Sequence, residues 1–205
     1  MTRRTPILPT IIVLAAVATM IALAFWQLRR AEWKEALLAG YAANAGKPPI
    51  TYPMVPQPDE SLLFRRAGGD CLEVVSWSAR AGHNSAGEPG WRHVALCRRG
   101  AEGPGMAVDL GWSKSADAPK GYRGGPVSGT MDFDRDHVFL LVADTPAPGL
   151  QPSAKPSPAD IPNNHRAYAV QWFLFAIVAL VIYVIALRRR GRSPDPTLPE
   201  AEGDH

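Results

Sequence analysis

The sequence lacks the short motifs that mark the common enzyme classes. It contains no G-x-S-x-G, H-E-x-x-H, Walker A or G-x-G-x-x-G segment, so the usual signatures of hydrolases, NTPases and dinucleotide-binding enzymes are absent. Its two cysteines do not form the C-x-x-C or C-x-x-C-H pattern of thiol exchange or covalent haem attachment. The net charge is only +3. We therefore expect neither an enzyme nor a nucleic-acid-binding protein.

Apolar residues are concentrated in two blocks, residues 7–26 and residues 167–187. Each has about the 20 residues that a helix needs to cross the hydrocarbon core of a bilayer. The second block contains no charged residue, and Pro9 in the first falls in the first helical turn, where its missing N–H costs little. The pattern predicts a membrane protein with transmembrane helices over residues 7–26 and 163–187.

A removable signal peptide is an alternative for the first block. Arg3 and Arg4 precede it, and residues 22–24 (ALA) resemble a cleavage site. The helical pattern, however, continues through Trp26 into residues 27–43, which we interpret as a helical extension. A retained anchor is the favoured interpretation.

Basic residues next to the two blocks predict the orientation. Arg3 and Arg4 precede the first block, and Arg188, Arg189, Arg190 and Arg192 follow the second. Cytoplasmic loops are enriched in Lys and Arg, so we expect residues 1–6 and 188–205 to be cytoplasmic and the central domain to be periplasmic. Only six residues precede the first span by this interpretation, which favours a bacterial inner membrane over a mitochondrial transit peptide.

Between the helices, the sequence has the texture of a small β domain. A Pro-rich link over residues 44–61 leads to short apolar runs separated by Gly, Pro and Asp, a pattern typical of strands and turns. The runs predict strands at residues 62–66, 71–78, 91–98, 106–112, 127–133 and 137–143. We expect an antiparallel barrel or sandwich over residues 62–144, followed by a Pro-rich, extended tether over residues 145–162.

The two cysteines fall in adjacent predicted strands. An antiparallel hairpin in which Cys71 faces Cys97 would also place Trp77 opposite Trp91, on the same face. We predict a structural disulfide, because the periplasm is oxidising. A thiol pair for copper or redox chemistry is the alternative.

His165 is the histidine whose surroundings suggest a ligand. The spacing of His83, His93 and His137 matches no metal motif. His165 begins the second helix and shares a face with Tyr168 and Trp172, while Trp26, Arg30 and Trp33 form a similar stripe on the first helix. Imidazole can ligate haem iron, aromatic rings can pack on a porphyrin, and guanidinium suits propionates. The same residue types also serve as simple interfacial anchors.

These helix-flanking residues carry a family resemblance. The sequence resembles the Surfeit locus protein 1 family, membrane factors for the assembly of haem-copper cytochrome c oxidase. The first family motif, roughly G-x-W-Q-L-x-R-x-x-W-K, is matched by Trp26, Gln27, Leu28, Arg30, Trp33 and Lys34. The closing motif, N-x-H-L-x-Y-A-x-x-W-F, is matched by Asn163, His165, Tyr168, Ala169, Trp172 and Phe173. Ala24, Leu110 and Arg166 depart from the family pattern.

The resemblance implies a non-enzymatic assembly factor for an aa3-type oxidase. Such a factor would help haem a, bound transiently, to reach or stay in subunit I of the oxidase. Haem a synthase is a further expected partner. His165 is the expected iron ligand, with Tyr168, Trp172, Trp26 and Arg30 in the surrounding site. A cofactor-free membrane scaffold that holds an oxidase subunit or intermediate is the alternative.

Overall fold

A computed structural model describes residues 7–101, 103 and 105–191, which form two compact units. The first unit comprises the described residues up to Lys34 and from Asn163, and the second comprises Glu35–Pro162. The orientation prediction from Arg3, Arg4 and Arg192 rests on residues outside those described. The elements are α1 (Ile7–Asn44), β1 (Ile50–Thr51), β2 (Arg66–Cys71), β3 (Glu73–His83), β4 (Pro89–Arg98), β5 (Met106–Ser113), β6 (Gly125–Asp134), β7 (Val138–Ala143) and α2 (His165–Gly191).

The first unit pairs two helices that are long and apolar enough to cross a membrane. Only 11% and 6% of their most apolar windows are buried, whereas a core helix of a soluble protein would be mostly buried. The helices run antiparallel, because Thr10 near the start of α1 hydrogen-bonds Tyr183 near the end of α2. Phe25 packs edge-on against Phe173, with 5.6 Å between ring centroids.

Small residues allow the two helices to approach closely. Ala24 and Ala31 on α1 and Ala169 and Ala176 on α2 are all at least 97% buried. Each pair is seven residues apart, so its members lie on one face of their helix. We call these four alanines the helix seam. Ala24, which replaces the glycine of the family motif, is 0% exposed, so a small residue is kept at this buried position of the helix pair.

The second unit is built on one seven-stranded sheet in the order β1-β2-β6-β7-β5-β4-β3. The predicted class, two long apolar helices around a small β domain, is confirmed. The sheet is mixed rather than wholly antiparallel, because β1 pairs with β2 and β5 pairs with β7 in parallel. It is not a closed barrel. Leu72 alone joins β2 to β3, so the sheet must curl to bring these distant strands together.

The central strands β5 and β7 carry the core. Seven of the eight residues of β5 and five of the six of β7 are buried, so these strands are covered on both faces. Val108, Leu110 and Leu141 face the larger core cluster, which also contains Met131 and Phe139. Residues of opposite parity form a second, smaller apolar cluster: Val94, Ala107, Leu140 and Val142. Alternation of side chains along each strand explains the two clusters.

A disulfide links Cys71 to Cys97, but the predicted hairpin register around it is wrong. Cys71 is the last residue of β2 and pairs with Gly125 of β6, while Cys97 lies in β4 opposite Val74. The disulfide therefore joins strands that are not neighbours in the sheet order. Trp77 faces Ala95 instead of Trp91. A register shift between Val74 and Ser76 accounts for part of the error, because a bulge changes the partner of every later residue.

Two other predictions about the β domain need correction. The strand predicted at residues 62–66 is wrong, because Leu62 ends a short 3-10 turn and β2 begins only at Arg66. The segment predicted as an extended tether is pinned to the sheet in its first part. Gln151 bridges to Trp112, and Ser153 is buried. Gly111, with a φ of 128°, makes room for this segment, because a Cβ there would lie 2.7 Å from the Gln151 oxygen.

Candidate functional site

His165 is the first residue of α2, and the structure joins it to Gln27 of α1. The carbonyl oxygen of Asn164 accepts from the Tyr168 N–H, which starts the helix at His165. The imidazole Nδ1 of His165 lies 2.7 Å from Oε1 of Gln27. An amide oxygen only accepts, so His165 Nδ1 carries the hydrogen and donates it. Nε2 is then left with its lone pair.

The His165–Gln27 pair lies on one edge of the helix seam. Residues three or four apart share a helix face, and Gln27 is three residues after Ala24 and four before Ala31. His165 is likewise four residues before Ala169. Both side chains are partly buried. We call this side of the seam the His165 edge.

The predicted aromatic and basic residues continue the His165 edge away from the seam. Arg30 is three residues after Gln27 and therefore adjoins it on α1, while Trp26 and Trp33 lie further round that helix. On α2, Tyr168 and Trp172 follow His165 by three and seven residues. Trp26 and Tyr168 are 53% and 51% exposed. The α2 stripe therefore shares the His165 edge with Gln27 and Arg30, whereas Trp26 lies about 100° round α1 from Gln27 and faces away from the seam.

Arg30 has a partner within its own helix. Its guanidinium carbon lies 3.9 Å from the centroid of the Trp33 ring, close enough for a cation–π contact. The side chain is exposed, so its five N–H donors remain open to solvent or to a carboxylate. Arg30 is therefore placed on the edge but is not in the hydrogen bond that fixes His165.

The residues on this edge fit a haem. An imidazole whose Nδ1–H is held by an acceptor presents Nε2 as an axial iron ligand. The exposed rings of Trp26 and Tyr168 offer apolar surface, and Arg30 offers a guanidinium for a propionate. Oδ1 of Asn163, two residues before His165, is buried and has no hydrogen-bond partner among the described residues. Leaving such an acceptor unpaired costs free energy.

Gln27 is a site residue that the sequence interpretation missed. It matched the family motif, but only the stripe of Trp26, Arg30 and Trp33 was assigned to the site. The signal was present, because Gln27 is the first strongly polar residue after an apolar run of about twenty. A polar side chain at a membrane-helix contact commonly bonds the neighbouring helix.

A second polar cluster, in the β domain, consists of Asp134, Asp136, His137 and Arg80. Ligand atoms of the two aspartates and the histidine lie within 4.8 Å of one another. The Arg80 guanidinium, however, contacts both carboxylates, at 2.5 Å to Asp134 and 3.3 Å to Asp136. Burial alone would raise the pKa of Asp134, but hydrogen bonds from Arg80 and His137 outweigh it and lower that pKa. The cluster is thus an ion-pair network in which a cation is already supplied by the protein.

The other three histidines among the described residues have structural partners or lie at the surface. His93 is 1% exposed, and its Nε2 lies 2.8 Å from the Ser113 hydroxyl. His137 Nδ1 lies 2.8 Å from Asp134. His83 is an exposed residue at the end of β3. His165 is therefore distinguished by its place at the contact of two apolar helices.

These features define a class: a membrane protein with two spanning helices and a mixed β domain between them in sequence. A model of the SURF1 family matches residues 14–177, which include the whole sheet and part of each apolar helix. The chain therefore belongs to the SURF1 family. This family is linked to cytochrome c oxidase assembly and is not a known enzyme family. A search of curated proteins finds no significant match to this chain.

Proposed function

We propose that this protein holds haem a through His165 and helps to deliver it to, or retain it in, subunit I of an aa3-type cytochrome c oxidase. The observation that carries this proposal is the hydrogen bond of 2.7 Å between His165 Nδ1 and Gln27 Oε1. It leaves Nε2 as a free ligand atom on an edge that also carries Tyr168, Trp172 and Arg30. Haem a is the cargo, and the enzyme that makes it is the expected donor.

The chain would act by binding, shielding and orienting its cargo. A bound haem would supply an iron that His165 Nε2 would ligate. Tyr168 and Trp172 would pack against the ring from the face of His165, and Trp26 would add exposed apolar surface on α1. The guanidinium of Arg30 pairs with a propionate at the polar surface of the membrane. A single protein ligand is suited to transient binding, because the cargo must leave again.

We further propose that the protein lies in a bacterial inner membrane, with its β domain in the periplasm and both termini in the cytoplasm. Three arginines end α2, at Arg188, Arg189 and Arg190. Basic residues at the end of a span favour the cytoplasmic side. The His165 end of α2 then lies at the periplasmic surface. The disulfide between Cys71 and Cys97 suits that oxidising compartment.

The test of haem binding uses the full chain purified in detergent from cells that also make haem a. Wild type should carry a haem a spectrum, and His165→Ala should lose or change it at an unaltered protein level. His83→Ala is the matched control, because it removes an exposed histidine of the β domain. An unchanged spectrum and affinity in His165→Ala would refute the ligand assignment and favour the cofactor-free scaffold.

Arg30→Ala adds a graded comparison to this test. It removes a propionate partner and leaves the iron ligand in place. Binding should therefore weaken less than in His165→Ala, while the spectrum of the bound fraction stays that of wild type. A complete loss of haem in Arg30→Ala with the helix pair intact would contradict these relative roles.

A further inference from the structure

Gln27 and His165 form a directional hydrogen bond between α1 and α2, in addition to the packing of the two helices. The Gln27 oxygen lies 2.7 Å from the imidazole Nδ1, and both residues are partly buried. The free imidazole ring can carry its hydrogen on either nitrogen. A carbonyl-type acceptor at Nδ1 selects the form with hydrogen on Nδ1.

We propose that Gln27 is the positioning residue of His165: it fixes the tautomer and the plane of the imidazole so that Nε2 is the atom offered to iron. This inference rests on the proposed function. In metal sites, a histidine ligand generally donates its other N–H to an acceptor, which fixes the ring and raises its basicity. Gln27 supplies that acceptor from the neighbouring helix.

The backbone around Gln27 is held firmly enough to do this. Ala24 and Ala31, on either side of Gln27, are 0% and 1% exposed, and Ala169 next to His165 is 1% exposed. The contact between Phe25 and Phe173, at 5.6 Å, fixes the helix pair in the same region. The two partners are therefore presented to each other by packed helices rather than by mobile loops.

A purely structural role is the competing explanation. A hydrogen bond between membrane helices can simply stabilise their packing, and Thr10 with Tyr183 makes another such bond in this pair. A structural bond would stabilise the pair without controlling which nitrogen of His165 is protonated. The tautomer and the iron potential therefore separate the two explanations.

The first arm of the test needs no haem. Nitrogen-15 NMR of the labelled full chain in detergent, at a pH where His165 is neutral, reports which nitrogen carries the hydrogen. Wild type should show the Nδ1–H form, and Gln27→Leu should shift His165 towards the Nε2–H form. Gln171→Leu is the matched control: it makes the same chemical change in an exposed residue six positions after His165, on a different face of the helix. An Nε2–H form in wild type, or the same tautomer in Gln27→Leu, would overturn the proposal.

The second arm uses haem a as the probe. Loss of a supporting hydrogen bond typically lowers metal affinity about 10- to 100-fold, so Gln27→Leu should bind haem about tenfold more weakly and Gln171→Leu should bind like wild type. Gln27→Glu keeps an acceptor and makes it stronger. The midpoint potential of bound iron should thus be lowest in Gln27→Glu, intermediate in wild type and highest in Gln27→Leu, because a more basic ligand stabilises the oxidised iron.

The two arms distinguish failure of this inference from failure of the proposed function. If wild type binds no haem, the proposed function is wrong, and the haem-binding role of Gln27 falls with it. The NMR arm still decides whether Gln27 sets the tautomer. If wild type binds haem and Gln27→Leu matches it in affinity and midpoint potential, only the positioning role is refuted.

Discussion

Asp109 of β5 is the residue whose removal should damage the β domain most clearly. Its side chain is 0% exposed, and Oδ2 accepts from Arg92 Nε at 2.6 Å. Oδ1 accepts from the Ser153 hydroxyl at 2.8 Å and from the Gly111 N–H at 3.0 Å. One carboxylate therefore ties β5 to β4 and to the segment that follows β7.

The expected loss from Asp109→Ala is large. Removing one member of a buried ion pair costs about 3–5 kcal/mol, because the partner is left charged and unpaired. Arg92 is only 21% exposed, and its Nη2 already lacks a hydrogen-bond partner among the described residues. Little water or protein is therefore available to replace Asp109 as a partner for its charge. For a unit of this size, such a loss lowers Tm by roughly 10–20 °C.

Thermal unfolding of the full chain in detergent, followed by near-UV circular dichroism, measures the effect. Asp70→Ala is the control, because Asp70 is exposed at the surface of the same sheet. Ser153→Ala should cost about 1 kcal/mol in wild type and less in the Asp109→Ala background, where the acceptor is already gone. A Tm of Asp109→Ala within about 2 °C of wild type, well below the loss expected for a buried charge, or an equal Ser153→Ala cost in both backgrounds, would refute the reasoning.

Three further predictions concern charge, cross-linking and topology. Burial raises the pKa of the Asp132 carboxyl above 3.8, so its ionised form opposes folding at neutral pH. Asp132→Asn should therefore raise Tm at pH 7. This gain in Tm should vanish as the pH falls towards 3.8. A Cys71→Ala/Cys97→Ala variant should lose about 3.5 kcal/mol in urea unfolding, given the separation of 26 residues; an unchanged midpoint would contradict this. Alkaline phosphatase fused near Pro119 should be active and fused after Arg190 inactive, and the reverse result would invert the proposed orientation.

The helices could be predicted from the sequence because each is a long apolar run. Continuous hydrophobicity over residues 7–26 and 167–187 has few alternatives to a membrane helix. Most strand centres in the β domain were also predictable, since β4, β5 and β6 overlap the predicted runs closely. These elements are set by the local pattern of apolar and polar residues, which a single sequence is enough to show.

The pairing of the strands could not be predicted in the same way. The chain leaves β5, forms β6 on the far side of β7, and then returns as β7 between β6 and β5. No local feature of the sequence specifies this crossover. The register of β3 and β4 was wrongly predicted in part because it shifts between Val74 and Ser76. β1 was missed because it has only two residues, next to Pro48 and Pro49.

For the candidate site, the sequence supplied candidate residues, and the structure shows which of them are in contact. Helical spacing placed His165, Tyr168 and Trp172 on one face. Only the packing of α1 against α2 shows that His165 meets Gln27, and only the side-chain geometry shows that Arg30 stacks on its own helix. A contact between residues 138 positions apart cannot be obtained from the periodicity of either helix.

The haem a content of assembled oxidase tests the central claim most directly. A strain that lacks this gene is complemented with wild type, His165→Ala or His83→Ala, and haem a per subunit I is measured in the purified oxidase. Wild type and His83→Ala should restore full occupancy, while His165→Ala, present at a normal level in the membrane, should leave much of subunit I without haem a. Full occupancy with His165→Ala would contradict haem delivery through this residue.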